Sequence, residues 1–170
     1  MYSSCYNTIV VNMIPDLVTL VGSPWPVLPP GIHVATFEDI EAIYATSKRR
    51  RDLFEGLITA ALHLRIAGCT RIFLDGSYVT SKPRPGDYDA CWDPTGVERR
   101  LLHPAFSDFS NGRAAQKKAF GGEFFPSSIV ERQSGRAFLN FFQNDRHTGE
   151  PKGIIEVSLI GDALLDRRAI

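Results

Sequence analysis

The sequence is poor in cysteine and carries no excess of charge of either sign. Its three cysteines lie far apart, and none takes part in a CxxC or Cys/His spacing of the kind that binds zinc. Free thiols are typical of proteins in a reducing compartment, so we expect the chain to be cytoplasmic. The 19 basic and 19 acidic residues balance. No overall field therefore attracts a nucleic acid or a membrane, and such a partner would need a local patch.

Long apolar runs and internal repeats are also missing. Residues 8–22 are apolar, but Pro15 and Asp16 interrupt them and the run is too short to span a bilayer. No signal peptide is predicted, and we expect no membrane partner. The 170 residues leave room for one domain with a sizeable core.

Proline is concentrated at the beginning of the chain. Five of the eleven prolines lie within residues 1–35. Each proline fixes φ and removes a backbone donor, so we expect residues 1–35 to form an extended leader over the surface. Residues 36–170 would then form the folded domain.

The periodicity of the apolar residues predicts the elements of this domain. Thr36 is expected to cap a first helix, and a second helix is expected to start near Ser47 and to stop at Gly68. A further helix is predicted after Ser134. Strands are predicted at residues 71–75, 87–92 and 153–160. This order predicts an α+β fold with a small mixed β-sheet and flanking helices.

The segment that follows the first predicted strand has the composition of an anion site. Gly76 has no side chain, so a ligand can approach its backbone closely. The turn after it can point successive N–H groups outward, and the hydroxyl of Ser77 can add a hydrogen bond to a phosphate oxygen. Lys82, on the next loop, could reach a phosphate as well.

Two carboxylates follow on the next strand, separated from Ser77 by nine residues. Asp87 and Asp89 are two apart and therefore share one face of a strand, whereas Tyr88 and Ala90 point to the core. Neighbouring carboxylates repel each other unless a cation lies between them. Mg²⁺ is commonly held by one or two carboxylates together with substrate phosphates, which suits this pattern. The alternative is a plain turn followed by a solvated strand face.

The combination of Leu74-Asp75-Gly76-Ser77 with Asp87-Tyr88-Asp89-Ala90 resembles the signature of the DNA polymerase beta-like nucleotidyltransferase superfamily. The resemblance implies a minimal nucleotidyltransferase fold, a nucleoside triphosphate as substrate and Mg²⁺ or Mn²⁺ as cofactor. By the same resemblance, Ser77 would bind a phosphate, and Asp87 and Asp89 would bind the metal. It implies transfer of a nucleoside monophosphate to an acceptor hydroxyl.

The sequence departs from this superfamily at two points. Many small members carry an arginine just after Gly-Ser, near Tyr78, and here Lys82 would take over that role. The superfamily also has a third carboxylate on a later strand, as general base or metal ligand. Glu156 is the acid available on the strand at 153–160, and we assign this catalytic and metal-binding role to it. The alternative is that Glu156 faces solvent.

A broader resemblance extends over residues 28–160. The stretches GSYVTSKPRPGDYDACWD, DFSNGRAAQKKAFGGEFFP and DRHTGEPKGIIEV look like those of an uncharacterised family of small bacterial nucleotidyltransferase-like proteins. Such proteins often belong to toxin–antitoxin modules, which implies a protein or tRNA acceptor and a cognate toxin or antitoxin as partner. The resemblance fades before Met13, and we expect residues 1–12 to be dispensable for folding.

Two other functions are compatible with the sequence. The first is a catalytically degenerate nucleotide sensor or partner-binding subunit, which a missing third carboxylate would favour. The second is an RNA-binding module that uses the basic run Lys48-Arg49-Arg50-Arg51, whose binding would depend on salt and not on Asp87 or Asp89. This run could equally be a solvated helix start.

Overall fold

The structure is a computed structural model that describes residues 14–169. The expectation that residues 1–12 are dispensable therefore lies outside the described residues. Within them, five strands form a single sheet in the order β1-β5-β2-β3-β4. The strands are β1 (Gly31–Val34), β2 (Arg71–Asp75), β3 (Asp89–Trp92), β4 (Glu123–Pro126) and β5 (Gly153–Ser158).

The sheet is mixed. The two outer pairs, β1 with β5 and β3 with β4, are parallel, and β2 pairs antiparallel with both of its neighbours. The predicted α+β class with a small mixed sheet is thereby confirmed. Strand β2 lies at the centre, so its last residues and the turn after them stand at the middle of one sheet edge.

Five helices accompany the sheet: α1 (Phe37–Tyr44), α2 (Lys48–Ile66), α3 (Ala114–Phe120), α4 (Phe138–Phe141) and α5 (Ala163–Arg168). The predicted starts of α1 and α2 are confirmed, because Thr36 forms a capping box with Asp39 and the Ser47 hydroxyl accepts a hydrogen bond from the Arg50 backbone. Gly68 adopts the expected left-handed conformation, with φ +94°, after α2. No helix within residues 14–169 combines the length and apolar character needed to cross a membrane.

The two faces of the sheet pack differently. Residues of one parity, among them Leu74, Ala90 and Ile155, join the large core formed with α1, α2, α3 and α5. Residues of the other parity, Phe73, Cys91 and Ile154, join a smaller cluster with Phe125 and α4. Because this second face has little cover, it can present polar side chains where its apolar cluster ends.

Some of the predicted elements differ from the observed ones. Strands β1 and β4 were not predicted, and β3 begins at Asp89, so Asp87 precedes the strand. The helix expected after Ser134 is only one turn long, and Ala137 takes the N-cap position because the Ser134 hydroxyl bonds the Arg136 backbone instead. Within the predicted leader, Val27 and Leu28 are buried and β1 is an edge strand of the sheet.

The basic run at the start of α2 is used inside the molecule. The Arg50 guanidinium is buried and donates to the carbonyls of Tyr78, Thr80 and Lys82 at 2.7, 2.9 and 2.6 Å. The neighbouring Arg49 donates to the carbonyls of Pro85 and Gly86. Two of the four basic side chains therefore fix the loop between β2 and β3 and are unavailable to a polyanion.

Candidate functional site

The site is built around the turn after β2. Gly76 has φ +82°, in the left-handed region that favours glycine. A Cβ atom at this position would lie 2.7 Å from Oδ2 of Asp89 and 2.9 Å from its backbone nitrogen. The absence of a side chain thus lets β2 and β3 approach closely, with the Asp89 carboxylate directly against the Gly76 backbone.

The chain then forms one 3₁₀ turn over Ser77–Val79. The Ser77 hydroxyl donates to the Asp87 carbonyl at 3.4 Å, a long and therefore weak hydrogen bond. It can exchange this bond for one to a ligand at little cost. Because Arg50 holds the carbonyls of Tyr78 and Thr80, the turn itself is fixed while the hydroxyl remains available.

Three acidic residues lie side by side across three neighbouring strands. Asp75 is the register partner of Asp89 in the antiparallel pair β2–β3, and Asp89 is the partner of Glu123 in the parallel pair β3–β4. Register partners on one face lie about 5 Å apart at Cβ. The sheet therefore sets up a row of carboxylates, Asp75–Asp89–Glu123, which we call the acidic row.

Crowding within the acidic row changes the protonation of its members. Burial, together with the charges of Asp75, Asp87 and Glu123, raises the pKa of Asp89 to about 7. Burial also raises the pKa of Asp75, although the neighbouring Lys152 ammonium opposes this shift. A cation placed beside Asp89 would restore its charge, because an opposite charge nearby favours the ionised carboxylate.

Two lysines already neutralise part of this negative charge. Lys152 forms an ion pair with the buried Asp75 carboxylate. Lys117, from α3, bridges Asp87 and Glu123, with Nζ 3.1 Å from one carboxylate and 2.6 Å from the other. Asp87 thereby joins the acidic row from the loop before β3.

The donors of the row suit a hard divalent cation better than zinc. Within residues 14–169, no three His, Cys, Asp or Glu side chains converge closely enough to hold a metal by themselves. Mg²⁺ does not require such a cluster, because it binds through one or two carboxylates and completes its shell with water and phosphate oxygens. Asp89, whose burial and like-charged neighbours hinder ionisation, is the group with most to gain from such a cation.

A cleft of about 1,640 Å³ is lined by Asp75 and Asp89 of the acidic row, whereas Glu123 does not line it. Five of the six residues predicted from the sequence line it: Gly76, Ser77, Lys82, Asp87 and Asp89. The structure thus brings together the predicted phosphate site and the predicted carboxylate pair. The cleft is also lined by Asp75, Lys152 and His147, and by Trp25 at its margin. Trp92, by contrast, lies in the core.

Glu156 is not brought to this site. It is the register partner of Phe73, two residues away from the level of Asp75 along the sheet, and it does not line the cleft. Its carboxylate lies 3.6 Å from Arg71, which also binds Asp93 at 2.9 Å. Two residues further along the same register, Ile154 comes opposite Asp75. The place that we had assigned to Glu156 beside the row is thus apolar.

Sequence reasoning missed two members of the acidic row. From the sequence, Asp75 is placed at the end of a strand and assigned no role, although its position directly before Gly76-Ser77 indicates that it lies close to the turn. Glu123 was missed because β4 was missed: it has four residues and ends in a proline. Phe124 and Phe125 point to opposite faces of the sheet, as alternating residues of a strand do, because one lies in each of the two apolar clusters.

The loop between α4 and β5 covers one end of the cleft, and a single buried carboxylate organises it. Asp145 accepts hydrogen bonds from the backbones of His147 and Thr148 and from the Ser23 hydroxyl. These bonds lower the pKa of Asp145 against the opposing effect of burial. The loop therefore keeps a defined shape, and it delivers Lys152 to Asp75.

Comparison with known proteins assigns the chain to one family. Residues 23–158 match the model of a family of unknown function, DUF6932, and the chain belongs to this family. No curated protein matches the chain. No solved structure matches it either. The matched range includes all five strands and every residue of the acidic row.

Proposed function

We propose that this protein is a metal-dependent nucleotidyltransferase that uses a nucleoside triphosphate and Mg²⁺ or Mn²⁺. The observation that carries the proposal is the acidic row beside the glycine turn. Burial, and then the charges of three neighbouring carboxylates, raise the pKa of Asp89, and a divalent cation beside those carboxylates would offset the cost of ionising it. The resemblance of the Gly-Ser and Asp-x-Asp segments to nucleotidyltransferases supports the same conclusion.

The residues of the turn would bind the triphosphate. The Ser77 hydroxyl would exchange its long bond to the Asp87 carbonyl for a phosphate oxygen. Lys82, which lines the same cleft, would neutralise a further phosphate. Asp87 and Asp89 would hold the divalent cation, which supplies charge neutralisation at the triphosphate.

Glu123 is our candidate for the group that acts on the acceptor. It neighbours Asp89 in the sheet and is oriented by its ion pair with Lys117, and it lies outside the lining of the cleft. In the transfer, the acceptor oxygen forms a bond to the α-phosphorus while the bond to the β-phosphate oxygen breaks. Pyrophosphate leaves, and the proton of the acceptor hydroxyl passes to the Glu123 carboxylate. Glu123 therefore takes the third-carboxylate role that the sequence had suggested for Glu156.

Labelling tests this proposal directly. The protein is incubated with Mg²⁺, each α-³²P-labelled nucleoside triphosphate in turn, and a cell lysate supplemented with total tRNA. We expect one triphosphate to give a labelled protein or RNA band, and Asp87→Asn to abolish it. A protein that labels nothing with any of the four triphosphates, although it binds one of them, would speak against transfer.

A second function remains compatible with the site, namely a nucleotide sensor without transferase activity. It is favoured by the lysine that bridges Asp87 and Glu123, because Lys117 must give way before Asp87 can bind a metal and Glu123 can accept a proton. The two functions differ in Glu123→Gln. If the protein is a transferase, the wild type transfers and this variant does not. If it is a sensor, neither protein transfers, and the variant differs from the wild type only in nucleotide affinity.

The RNA-binding module based on residues 48–51 has less support. Arg49 and Arg50 are bonded to backbone carbonyls, and Lys48 is paired with Asp52 at 2.9 Å. Arg51 is the one side chain of the run without such a partner in the described part of the chain. One exposed arginine does not make a polyanion site.

A further inference from the structure

The cleft is larger than the proposed nucleotide needs. Its volume of about 1,640 Å³ exceeds the ~300–1,000 Å³ that is typical of small-molecule sites. Asp75 and Asp89 of the acidic row line this cleft, and so do three exposed arginines, Arg132, Arg136 and Arg146. None of the three has an ion pair or a side-chain hydrogen bond with any residue between 14 and 169. The margin is therefore basic, although the chain as a whole has no net charge.

Two of these arginines stand on a hairpin formed by residues 127–137. Its strands are joined by the bridge between Val130 and Ala137 and by a hydrogen bond from the Glu131 N–H to the Arg136 carbonyl at 2.8 Å. The Glu131 carboxylate accepts from the Gln133 and Ser134 backbones at 3.0 and 2.7 Å. It is thus engaged with its own turn and does not pair with the arginines beside it.

The loop between α4 and β5 also lines the cleft, and it too pairs an exposed arginine with an acid that is already hydrogen-bonded. Arg146 is exposed on the loop between α4 and β5, and the adjacent Asp145 carboxylate is occupied by backbone N–H groups and by Ser23. On both sides, the nearest acid stabilises the turn and leaves the guanidinium uncompensated. Such a pair of basic edges attracts a ligand with several negative charges.

Exposed apolar side chains line the same cleft as these arginines. Four of the eleven large apolar side chains that are exposed within the described residues line this one cleft: Trp25, Phe109, Ile129 and Val130, at 38, 50, 51 and 53% exposure. A basic groove interleaved with exposed aromatic rings is the arrangement by which proteins hold single-stranded nucleic acids, with phosphates on the cations and bases on the rings. An acidic peptide would match the arginines but would leave Trp25 and Phe109 uncovered.

We infer that the margin of the cleft binds a single-stranded nucleic acid, with its phosphates on Arg132, Arg136 and Arg146 and a base against Trp25 or Phe109. The strand would lead its terminal hydroxyl to Asp87 and Asp89 in the same cleft, a role that rests on the proposed transferase function. The binding itself does not rest on that function.

Fluorescence anisotropy of a labelled RNA of about 12 nucleotides, a length within the usual range of such sites, tests the inference. A DNA of the same sequence and a fluorescein-labelled polyglutamate peptide are titrated in parallel. The titrations contain EDTA and no nucleoside triphosphate, so that they are independent of catalysis. We expect the triple variant Arg132→Ala/Arg136→Ala/Arg146→Ala to bind roughly tenfold or more weakly, and its salt dependence to fall by about 0.7 in log–log slope per arginine removed.

Matched variants separate the cleft from general charge. Arg51→Ala/Arg99→Ala/Lys118→Ala removes the same charge from exposed positions that do not line the cleft, and it should bind like the wild type. Trp25→Leu should weaken binding without changing the salt slope, because stacking involves no counterions. The stronger of the RNA and DNA titrations identifies the sugar that is preferred.

Three results would overturn the inference: no binding of either strand by the wild type, equal losses in the two triple variants, or equal binding of polyglutamate. If the wild-type protein binds the strand but transfers nothing in the labelling assay, the proposed function is refuted and this inference stands.

Discussion

At the scale of single residues, the site depends on carboxylates whose ionisation lowers the stability of the folded protein. Asp89 has no hydrogen-bond partner for its carboxylate within the described residues, and three like charges surround it. Residues with perturbed pKa values in a cleft are candidates for function because structure alone does not require them. This makes the protonation of Asp89 the most informative property of a single residue.

The stability of the metal-free protein should report this protonation. The pKa of Asp89 is about 7 in the folded protein and about 3.9 in an unfolded chain. The folded state therefore binds the proton more tightly, and ionisation costs stability as the pH rises from about 4 to about 7. In EDTA, Asp89→Asn should melt at a higher temperature than the wild type, by a margin that grows over this pH range. A margin that does not change with pH would show that Asp89 ionises freely.

Glu123 and Glu156 provide a matched pair of variants for the third carboxylate. Glu123→Gln should abolish transfer in the labelling assay while nucleotide binding persists, because Asp87 and Asp89 keep the cation. Glu156→Gln should transfer at the wild-type rate, since this carboxylate is paired with Arg71 away from the cleft. The opposite outcome, with Glu156 essential and Glu123 dispensable, would return the role to the residue that the sequence alone suggested.

At the scale of elements, the loop between β2 and β3 is held by one buried guanidinium. Arg50 satisfies three carbonyls of residues 78–82, and burial lowers its pKa, which the nearby Tyr78 and Tyr44 oppose. The Arg50 guanidinium supplies these carbonyls with the hydrogen-bond donors that a neighbouring strand would supply in a sheet. The phosphate turn is therefore only as rigid as this contact.

Replacing Arg50 by methionine tests that dependence. The side chain keeps its apolar stem, but three buried carbonyls lose their donor, which should cost about 2–4 kcal/mol in the free energy of unfolding. Urea denaturation measures this loss. Arg51→Met, the exposed neighbour, is the control and should change stability by about 0.5 kcal/mol or less. Equal effects of the two substitutions would mean that Arg50 does not hold the loop.

The elements show how far sequence patterns reach. Strands β2, β3 and β5 and the starts of α1 and α2 could be predicted, because alternation and capping are local signals. Strands β1 and β4 could not, since each has four residues at a sheet edge and borders glycine or proline. Hence Glu123 was missed, whereas Gly76, Ser77, Asp87 and Asp89 were found. Glu156 shows the complementary limit: its strand was predicted correctly, but the sheet register that takes it away from the row is a tertiary property.

At the scale of the whole molecule, the segment before α1 belongs to the fold. Strand β1 pairs with β5, and Val27 and Leu28 are buried. The family match also begins within this segment, at residue 23. Residues 14–35 are thus more than an extended leader over the surface.

Two truncations separate the parts of this segment. Removing residues 1–12 should leave the melting temperature within a few degrees of that of the full chain. Removing residues 1–35 takes away an edge strand and, among the described residues, the four buried side chains of Ile14, Val27, Leu28 and Ala35. It should prevent cooperative unfolding, which scanning calorimetry would show. A folded protein that begins at residue 36 would establish the leader boundary that the sequence suggested.

The central claim is that the acidic row binds a nucleotide through a divalent cation. Isothermal titration calorimetry of the full chain with each nucleoside triphosphate, in Mg²⁺ and in EDTA, tests it most directly. We predict binding of at least one triphosphate in Mg²⁺, its loss in EDTA, and its loss in Asp87→Asn and Asp89→Asn but not in Glu156→Gln. Equal affinity in Mg²⁺ and EDTA, or unchanged binding by the two aspartate variants, would contradict the account.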